Sequence, residues 1–541
     1  MCNDTVSATA VPATVPAGKI RITDIVGDDY KEWFKGTRIV FDAGTNSGKT
    51  YFILNVLLPR AHEKNKKILY LCNRTPLRDQ IRDTIEEMGR TEHKVGHWDS
   101  DRKELIYETH MENKYERTIR VENYQWLESF YAGNPAGALD YLSHFYYVVA
   151  DEYHYQLTDP TINEEIDVSY RLLNKWTENK VVIFMSATAH PFFDRWKKTG
   201  EVLQEYYYYL PPDYSFTSKV KFFWTNDEEL AVIRQEAQRG KVLIFVDAID
   251  HIKKLRDVLE PDFPGEIATA CSKHRPEAEE FDGLEAILQG EQLCKRISIV
   301  TTVFYNGINI KDPELKCIVS RQWDAIVNSQ ILGRKRPLDA DDTCTVYFKG
   351  YSHDWIKRER ESIRKYQLEP AEQWKKQESG QEEEWQKYLH KKGTVEMLDK
   401  KCKTVHRDRY GNGWVWHRRA ELQYRVQMDT LERMMKDGYQ RGLLKEISEP
   451  LVDRIEPLCF KELEDYINEH LGEEMLGEVM KEQIVKLGHI SNPANRHKNK
   501  KGITLITINK RLKECYRVKV VSVQKRINAT EKAMFWTLTK I

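Results

Sequence analysis

The residues Ala43 to Thr50 read AGTNSGKT, and their types and spacing suit the holding of a chain of phosphates. Gly44 and Gly48 let the backbone wrap anionic oxygens, with Thr45, Asn46 and Ser47 between them, and amide groups at the start of a following helix point inward. Lys49 would reach the β- and γ-phosphates, and the Thr50 hydroxyl would bind magnesium. A second stretch, DEYH from Asp151 to His154, directly follows the apolar run FYYVVA. An acidic pair at the C-terminal end of a buried strand is where a phosphate-loop ATPase needs its metal carboxylate and its water-activating base. Asp151 is expected to hold magnesium and Glu152 to polarise the attacking water, with ATP as the nucleotide. A bland acidic pair is common on any charged surface, but uncommon at a strand mouth about 100 residues after a phosphate loop.

These groups need strands to carry them. Between about Lys19 and Leu210 the short apolar runs Ile39–Phe41, Ile68–Leu71, Tyr146–Ala150 and Val181–Met185 alternate with longer amphipathic stretches. Each is nearly all apolar and followed by polar turn residues, as strands of a parallel sheet buried on both faces should be. A second set begins near Ser218, with Val242–Val246, Ile297–Val300, Cys317–Val319 and Thr343–Phe348. After Val246, Ile252, Leu255, Val258 and Leu259 share one helical face, which gives a strand-then-helix unit. Near Gly350 the character changes: residues 353–400 are rich in Lys, Glu, Gln and Trp and read as charged helices or a linker. Further on, Tyr424, Met428, Leu431 and Met435 fall on one helical face. The expected organisation is a flexible N-terminus over 1–18, an α/β domain over 19–212, a second over 213–350, a helical accessory or linker region over 351–455, and a winged-helix-like module over 456–541.

DEYH beside AGTNSGKT resembles the DExH group of superfamily-two helicases, with a flavour of those carried by bacteriophages and mobile elements, and further blocks stand in that family's order. LCNRTPLRDQ, Leu71 to Gln80, looks like the Ia block, and VENYQWLE, Val121 to Glu128, resembles the Tyr-Gln-containing segment that precedes the acidic box. SAT, Ser186 to Thr188, matches the third block, KVLIFVDA opens the second domain, TTVFYNGINI resembles the fifth block and QILGRKR the sixth. The resemblance covers roughly residues 30 to 350 and implies two tandem RecA-like domains that close on ATP and grip a nucleic-acid strand. It implies strand contacts by Arg74, Thr75, Thr301 and Thr302, a nucleotide contact by Gly307, and coupling of ATP state to grip by His154, Ser186 and Thr188. Gln330 would position the γ-phosphate or the water, and Arg334 would act as an arginine finger, worth roughly 10³ to 10⁵ in rate. The sequence departs from the family twice: Arg336 follows Arg334 at two residues rather than three, with Pro337 in the expected place, and Asn309 stands where Asp is common. The family's adenine-recognising glutamine is not identifiable; Tyr30, Trp33 and Phe34 are candidates for a stacking platform or for core.

Composition narrows the partners. Lys plus Arg and Asp plus Glu both total 84, so no global field draws in a polyanion and nucleic-acid contact must come from local patches. One such patch lies between Arg496 and Arg526, eleven Lys or Arg against Glu514 alone, and includes the loop RHKNKKG. Its alternative is a solvated face balancing an acidic 443–485 region. The nine cysteines lack C-x-x-C spacing and fit reduced thiols in a cytoplasm. The N-terminus lacks the pattern of a signal peptide, and no apolar stretch approaches the roughly 20 residues of a membrane span. Without a sustained heptad, a monomer is expected, with any loading partner unspecified. Trp414 and Trp416 are read as anchors of the accessory region in preference to base-stacking platforms, and His406 and His417 as structural. The expected function is ATP-dependent movement on nucleic acid, DNA favoured over RNA, with or without strand separation. An inactive nucleic-acid-binding module is the remaining alternative.

Overall fold

The computed structural model describes residues 20–99, 104–272, 276–301, 309–408, 411, 413–490, 503–527 and 531–541. The expected N-terminal lead-in, the basic loop at 496–502, and the site candidates Thr302 and Gly307 lie outside the described residues. The chain divides into two units, one holding residues up to His154 and Val168–Pro212, the other Tyr155–Asp167 and Asp213–Ile541.

The first unit is built on a six-stranded sheet in the order Ile119–Asn123, Ile68–Cys72, Tyr147–Ala150, Val181–Ser186, Thr37–Ala43, Tyr207–Leu210. Every neighbouring pair is parallel. Parallel strands must be joined by crossovers that cover both faces, so the interior strands are apolar throughout. Ile68–Cys72, Tyr147–Ala150 and Val181–Ser186 are buried along their whole length. Ile39, Phe41, Phe52, Leu57 and Tyr70 share one core with Trp33. One strand, Val181–Ser186, separates the strand that feeds AGTNSGKT from the strand that feeds DEYH. Asp42 lies across from Ser186 and Ala150 from Phe184, so all three functional loops leave the sheet at its C-terminal edge. An antiparallel hairpin, Arg90–Asp99 with Glu104–Asn113, stands outside the sheet.

The second unit holds a second six-stranded parallel sheet, in the order Ile267–Ala270, Ile297–Thr301, Lys241–Val246, Leu315–Ser320, Cys344–Lys349, Thr217–Phe223. The two parallel sheets are the RecA-like pair expected from the sequence. Residues 353–447 are largely helical: His353–Ile363, Glu369–Glu378, Glu382–Leu389, Thr394–Lys401, Arg418–Asp437 and Tyr439–Ile447. Leu431, Met434, Leu443 and Leu444 enter the same core as Phe222, Val346 and Phe348, with Tyr424, Met428 and Met435 packed at its margin. Each fully buried Leu there contributes roughly 1.5–3 kcal/mol, so these helices are part of the domain they follow. Trp385, Tyr388, Leu398 and Val405 form a separate core with Trp374 and Trp414 at its edge.

The C-terminal module follows the order helix Lys461–Glu469, strand Glu474–Leu476, helix Gly477–Leu487, helix Leu505–Tyr516, then strands Val518–Arg526 and Lys532–Lys540. The last strand lies between the other two, and both its pairings are antiparallel. This is a winged-helix-like topology around Leu463, Met480, Ile484, Ile508, Leu512 and Leu538.

Candidate active site

The phosphate loop owes its shape to three backbone requirements. A Cβ on Gly44 would lie 2.4 Å from the Cα of Pro212, so only glycine fits there. Gly48 has φ 85° and Asn46 φ 60°, left-handed positions that glycine occupies freely and asparagine tolerates. The Gly44 amide donates to the Leu210 carbonyl at 2.9 Å, tying the loop to the edge strand. A helical run from Lys49 to Glu63 follows, with a π turn over Ile53–Leu57. The Lys49 ammonium donates to the carbonyls of Ala43 and Gly44, at 2.6 and 2.9 Å, and lies 3.4 Å from Ser47 Oγ. It therefore stands within the loop where phosphate oxygens would be cradled.

Asp151 is buried at the end of its strand. Its Oδ2 accepts from the Tyr70 hydroxyl at 2.5 Å and its Oδ1 from the Glu152 amide at 2.9 Å. Its own amide donates to Leu71 O, and its carbonyl accepts from the Tyr124 hydroxyl at 2.7 Å. Burial, and then the charge of Glu152, push its carboxyl up to about 6, while Tyr70 and Lys49 act in the opposite direction. Burial beside Asp151 holds the Tyr70 phenol well above its ordinary value, and the Thr50 hydroxyl bears on the same phenol.

Glu152 takes φ 50°, a conformation that costs a non-glycine residue about 1–3 kcal/mol and clusters at functional sites. Its Oε2 lies 3.2 Å from Nδ1 of the fully buried His154. The same nitrogen lies 3.2 Å from Ser186 Oγ, and that oxygen accepts the Thr188 amide at 3.1 Å. Glu152, His154, Ser186 and Thr188 therefore form one chain of contacts from the acidic box to the SAT segment. A parallel link lies on the phosphate-loop strand, where buried Asp42 accepts from the Tyr207 hydroxyl at 2.5 Å and pairs with His190 Nδ1 at 2.6 Å. His190 follows SAT by two residues, so the SAT segment is tied to both functional loops.

The remaining candidates are placed as follows. Arg74 is the extended residue before helix Thr75–Gly89, and Thr75 Oγ1 accepts from Asn123 Nδ2 at 3.0 Å at the end of the edge strand. Trp33 is buried against Phe41, Phe52 and Tyr208, Tyr30 packs edge-on to Phe52, and Phe34 is exposed. In the second unit, Thr301 ends strand Ile297–Thr301. Helix Ala325–Leu332 is capped by Asp324, which accepts from the Ile326 amide at 2.8 Å. Gln330 and Arg334 are both buried; Arg334 Nε donates to Gln330 O at 3.0 Å and Nη2 to Gln330 Oε1 at 3.1 Å. Arg336 Nε donates to Asn309 Oδ1 at 3.0 Å, so the two residues that depart from the family pattern meet each other. Trp414 packs on Trp385, and Trp416 donates to Glu421 Oε2 at 2.9 Å, so both serve the accessory helices. His417 is buried and its Nε2 lies 3.3 Å from Asn163 O.

Tyr70, Tyr124, Tyr207, Asp42 and His190 were not singled out from the sequence. Tyr70 and Tyr207 sit inside apolar strand runs, where a phenol reads as core; only Tyr124, within VENYQWLE, carried a signal. Cys459 and Cys515, 56 positions apart, also meet: Cys459 Sγ donates to Cys515 O at 3.7 Å.

Residues 19–190 match the family model described as Type III restriction enzyme, res subunit. No curated protein matches the chain. Among solved structures, S. cerevisiae Dbp5 bound to RNA and ADP BeF3 is 13% identical at a TM-score of 0.40, over 59% of this chain and 81% of that one. Escherichia coli DEAH/RHA helicase HrpB is 15% identical at 0.41, over 62% of this chain and 43% of that one. A DEAD box protein from Methanococcus jannaschii is 17% identical at 0.34, over 62% and 87%. The match over residues 19–190, with the DExH box and the blocks ordered around it, identifies the first α/β domain as a superfamily-two helicase domain of the Type III restriction enzyme res-subunit family.

Proposed function

We propose that the chain is an ATP-driven motor that moves on nucleic acid, with DNA favoured over RNA as its track. The observation that carries this reading is the meeting of Lys49, Asp151 and the strained Glu152 at one sheet edge, wired through His154 to Ser186. Gly44 to Thr50 would hold the triphosphate of ATP. The Thr50 hydroxyl and the buried Asp151 carboxylate are hard oxygen donors, the kind magnesium takes, and Asp151 is oriented by the Tyr70 and Glu152 bonds. Magnesium, when bound, would neutralise charge on the β- and γ-phosphates. Glu152 would orient and polarise the attacking water, with His154 fixing its carboxylate.

Loss of the γ-phosphate changes the charge that Glu152 faces, and the contact chain through His154 and Ser186 carries that change toward the strand contacts. Arg74, Thr75, Thr301 and Thr302 are proposed to touch the nucleic-acid backbone. Gln330 is proposed to position the γ-phosphate or the water, and Arg334 and Arg336 to stabilise the developing phosphoryl charge, with Gly307 as a further nucleotide contact. Cycles of ATP binding and hydrolysis would step the protein along a strand.

Displacement of a third strand from a DNA triplex, beside displacement of one strand of a duplex, tests this. ATP-dependent removal of the triplex strand by wild type and not by Glu152→Gln supports a motor, and the duplex substrate tells whether the step separates strands. Failure on both substrates, with ATP bound, contradicts the motor.

A further inference from the structure

The C-terminal module is electrically polarised in a way that hydrolysis of ATP does not use. Residues 461–490 carry eight Asp or Glu against three Lys, whereas residues 503–541 carry nine Lys or Arg against two Glu. The sign changes between the first two helices and the third helix with its hairpin.

The third helix, Leu505–Tyr516, begins at Thr504, whose hydroxyl accepts the Thr507 amide at 3.3 Å. Ile508 and Leu512 are in the core, and Asn509 bonds the Val520 amide and carbonyl at 2.6 and 3.1 Å, which fixes the helix to the sheet. Arg511 is committed sideways, to Glu228 at 2.8 Å, which anchors the helix to the neighbouring helix Asn226–Ala237. The opposite stripe, Ile506, Lys510 and Lys513 at helical spacing, is exposed, with Thr507 beside it. Ile506 alone is 83% exposed, a position no core requirement explains.

The hairpin repeats the pattern. Arg526 stands directly across from Lys532, and like charges opposed on neighbouring strands destabilise a hairpin. Lys525 is held by Glu474 at 2.7 Å, whereas among the described residues no carboxylate pairs with Arg526, Lys532, Lys510 or Lys513. Because Asn509 pairs with Val520, strand Val518–Arg526 runs back along the helix.

We propose that this module binds double-stranded DNA, with the exposed stripe of helix Leu505–Tyr516 in the major groove and Arg526 and Lys532 on the flanking phosphates. A polyanion supplies the counter-charge that the four basic groups lack. A protruding helix fits the major groove of B-form DNA, about 12 Å wide, and cannot enter the deep, narrow major groove of A-form RNA. Helices of this kind read base edges with their N-terminal residues, here Ile506, Thr507 and Lys510, while phosphate contacts fix register. The inference rests on the nucleic-acid-motor reading for the presence of a track, but its contacts lie outside every motor block.

The test is fluorescence anisotropy of the full chain, without nucleotide, on a labelled DNA duplex, an RNA duplex of the same sequence and single-stranded DNA, over a salt series. Two double variants are compared with wild type, Lys510→Ala with Lys513→Ala, and Arg526→Ala with Lys532→Ala. All four side chains are outside the core, and the hairpin pair relieves a repulsion, so thermal unfolding should not fall in that variant. Each pair is expected to weaken duplex-DNA binding about tenfold or more and to reduce the salt slope by about 2. ATP hydrolysis stimulated by single-stranded DNA should be unchanged. Duplex-DNA affinity unaffected by both pairs, or an RNA duplex held as tightly and through the same residues, overturns the assignment while leaving the motor standing. Duplex binding lost in the variants with no polymer-stimulated hydrolysis in wild type supports the module and removes the motor.

Discussion

Tyr70→Phe should move the acid limb of ATP hydrolysis, because the phenol is what keeps a buried carboxylate ionised. The Tyr70 hydroxyl donates to Asp151 Oδ2 at 2.5 Å, with Asp151 buried and its carboxyl raised to about 6 chiefly by that burial. The substitution keeps the ring and its packing and removes only the donor. A hydrogen bond to a charged acceptor is worth roughly 1.5–3 kcal/mol, and 1.36 kcal/mol corresponds to one pKa unit. The Asp151 carboxyl should therefore rise by roughly one to two further units. The sign follows from which form can hold magnesium. Ionised Asp151 is the competent form, so wild-type kcat/KM, which reports the free enzyme, should fall as pH drops through about 6. The variant should begin to fall about one to two pH units higher and need more magnesium for half-maximal rate at neutral pH. Steady-state hydrolysis between pH 5 and pH 9 over a magnesium series reads both, with Asp151→Asn alone and combined with Tyr70→Phe closing a double-mutant cycle. An unchanged acid limb in Tyr70→Phe, or an equal effect in the Asp151→Asn background, would refute the role given to the phenol.

Gly44→Ala should abolish ATP binding, because its Cβ would sit 2.4 Å from Pro212 Cα; nucleotide titration followed by fluorescence checks it, and near-normal affinity would mean that the loop tolerates a shift. Ser186→Ala removes the oxygen that joins His154 to the Thr188 amide, so hydrolysis should fall modestly, about threefold or less, while triplex-strand displacement falls about tenfold or more. Equal losses in both assays would place Ser186 in chemistry and not in coupling.

The strands that the sequence made legible and those it hid differ in one physical respect. The runs at Ile39, Ile68, Tyr146 and Val181 became the four interior strands of the first sheet, and those at Val242, Ile297, Cys317 and Thr343 the interior four of the second. Interior strands of a parallel sheet are buried on both faces and read as continuous apolar runs. The four unnamed strands, Ile119–Asn123, Tyr207–Leu210, Ile267–Ala270 and Thr217–Phe223, are the edges. In two of them charged and polar residues break the run, Arg120 and Glu122 in one and Ser218 and Lys219 in the other, whereas the four-residue edges YYYL and IATA carry no charge.

The site divides in a similar way. Lys49, Asp151 and Glu152 were legible because each belongs to a short contiguous stretch, a glycine-rich loop or an acidic pair, placed directly after an apolar run that marks its strand. Tyr70 and Tyr207 are hidden because a phenol on a buried strand packs like Phe, and the partner of its hydroxyl depends on register. The Asp42–His190 pair spans 148 positions and depends on two strands lying side by side, which spacing along the chain does not encode.

Steady-state ATP hydrolysis by the purified chain with no polymer, single-stranded DNA, duplex DNA and single-stranded RNA, beside Glu152→Gln, tests the central claim most directly. The account predicts strong stimulation by DNA, weaker stimulation by RNA, and loss of turnover in the variant with ATP still bound. Hydrolysis absent with every polymer, or equally fast in Glu152→Gln, would contradict it.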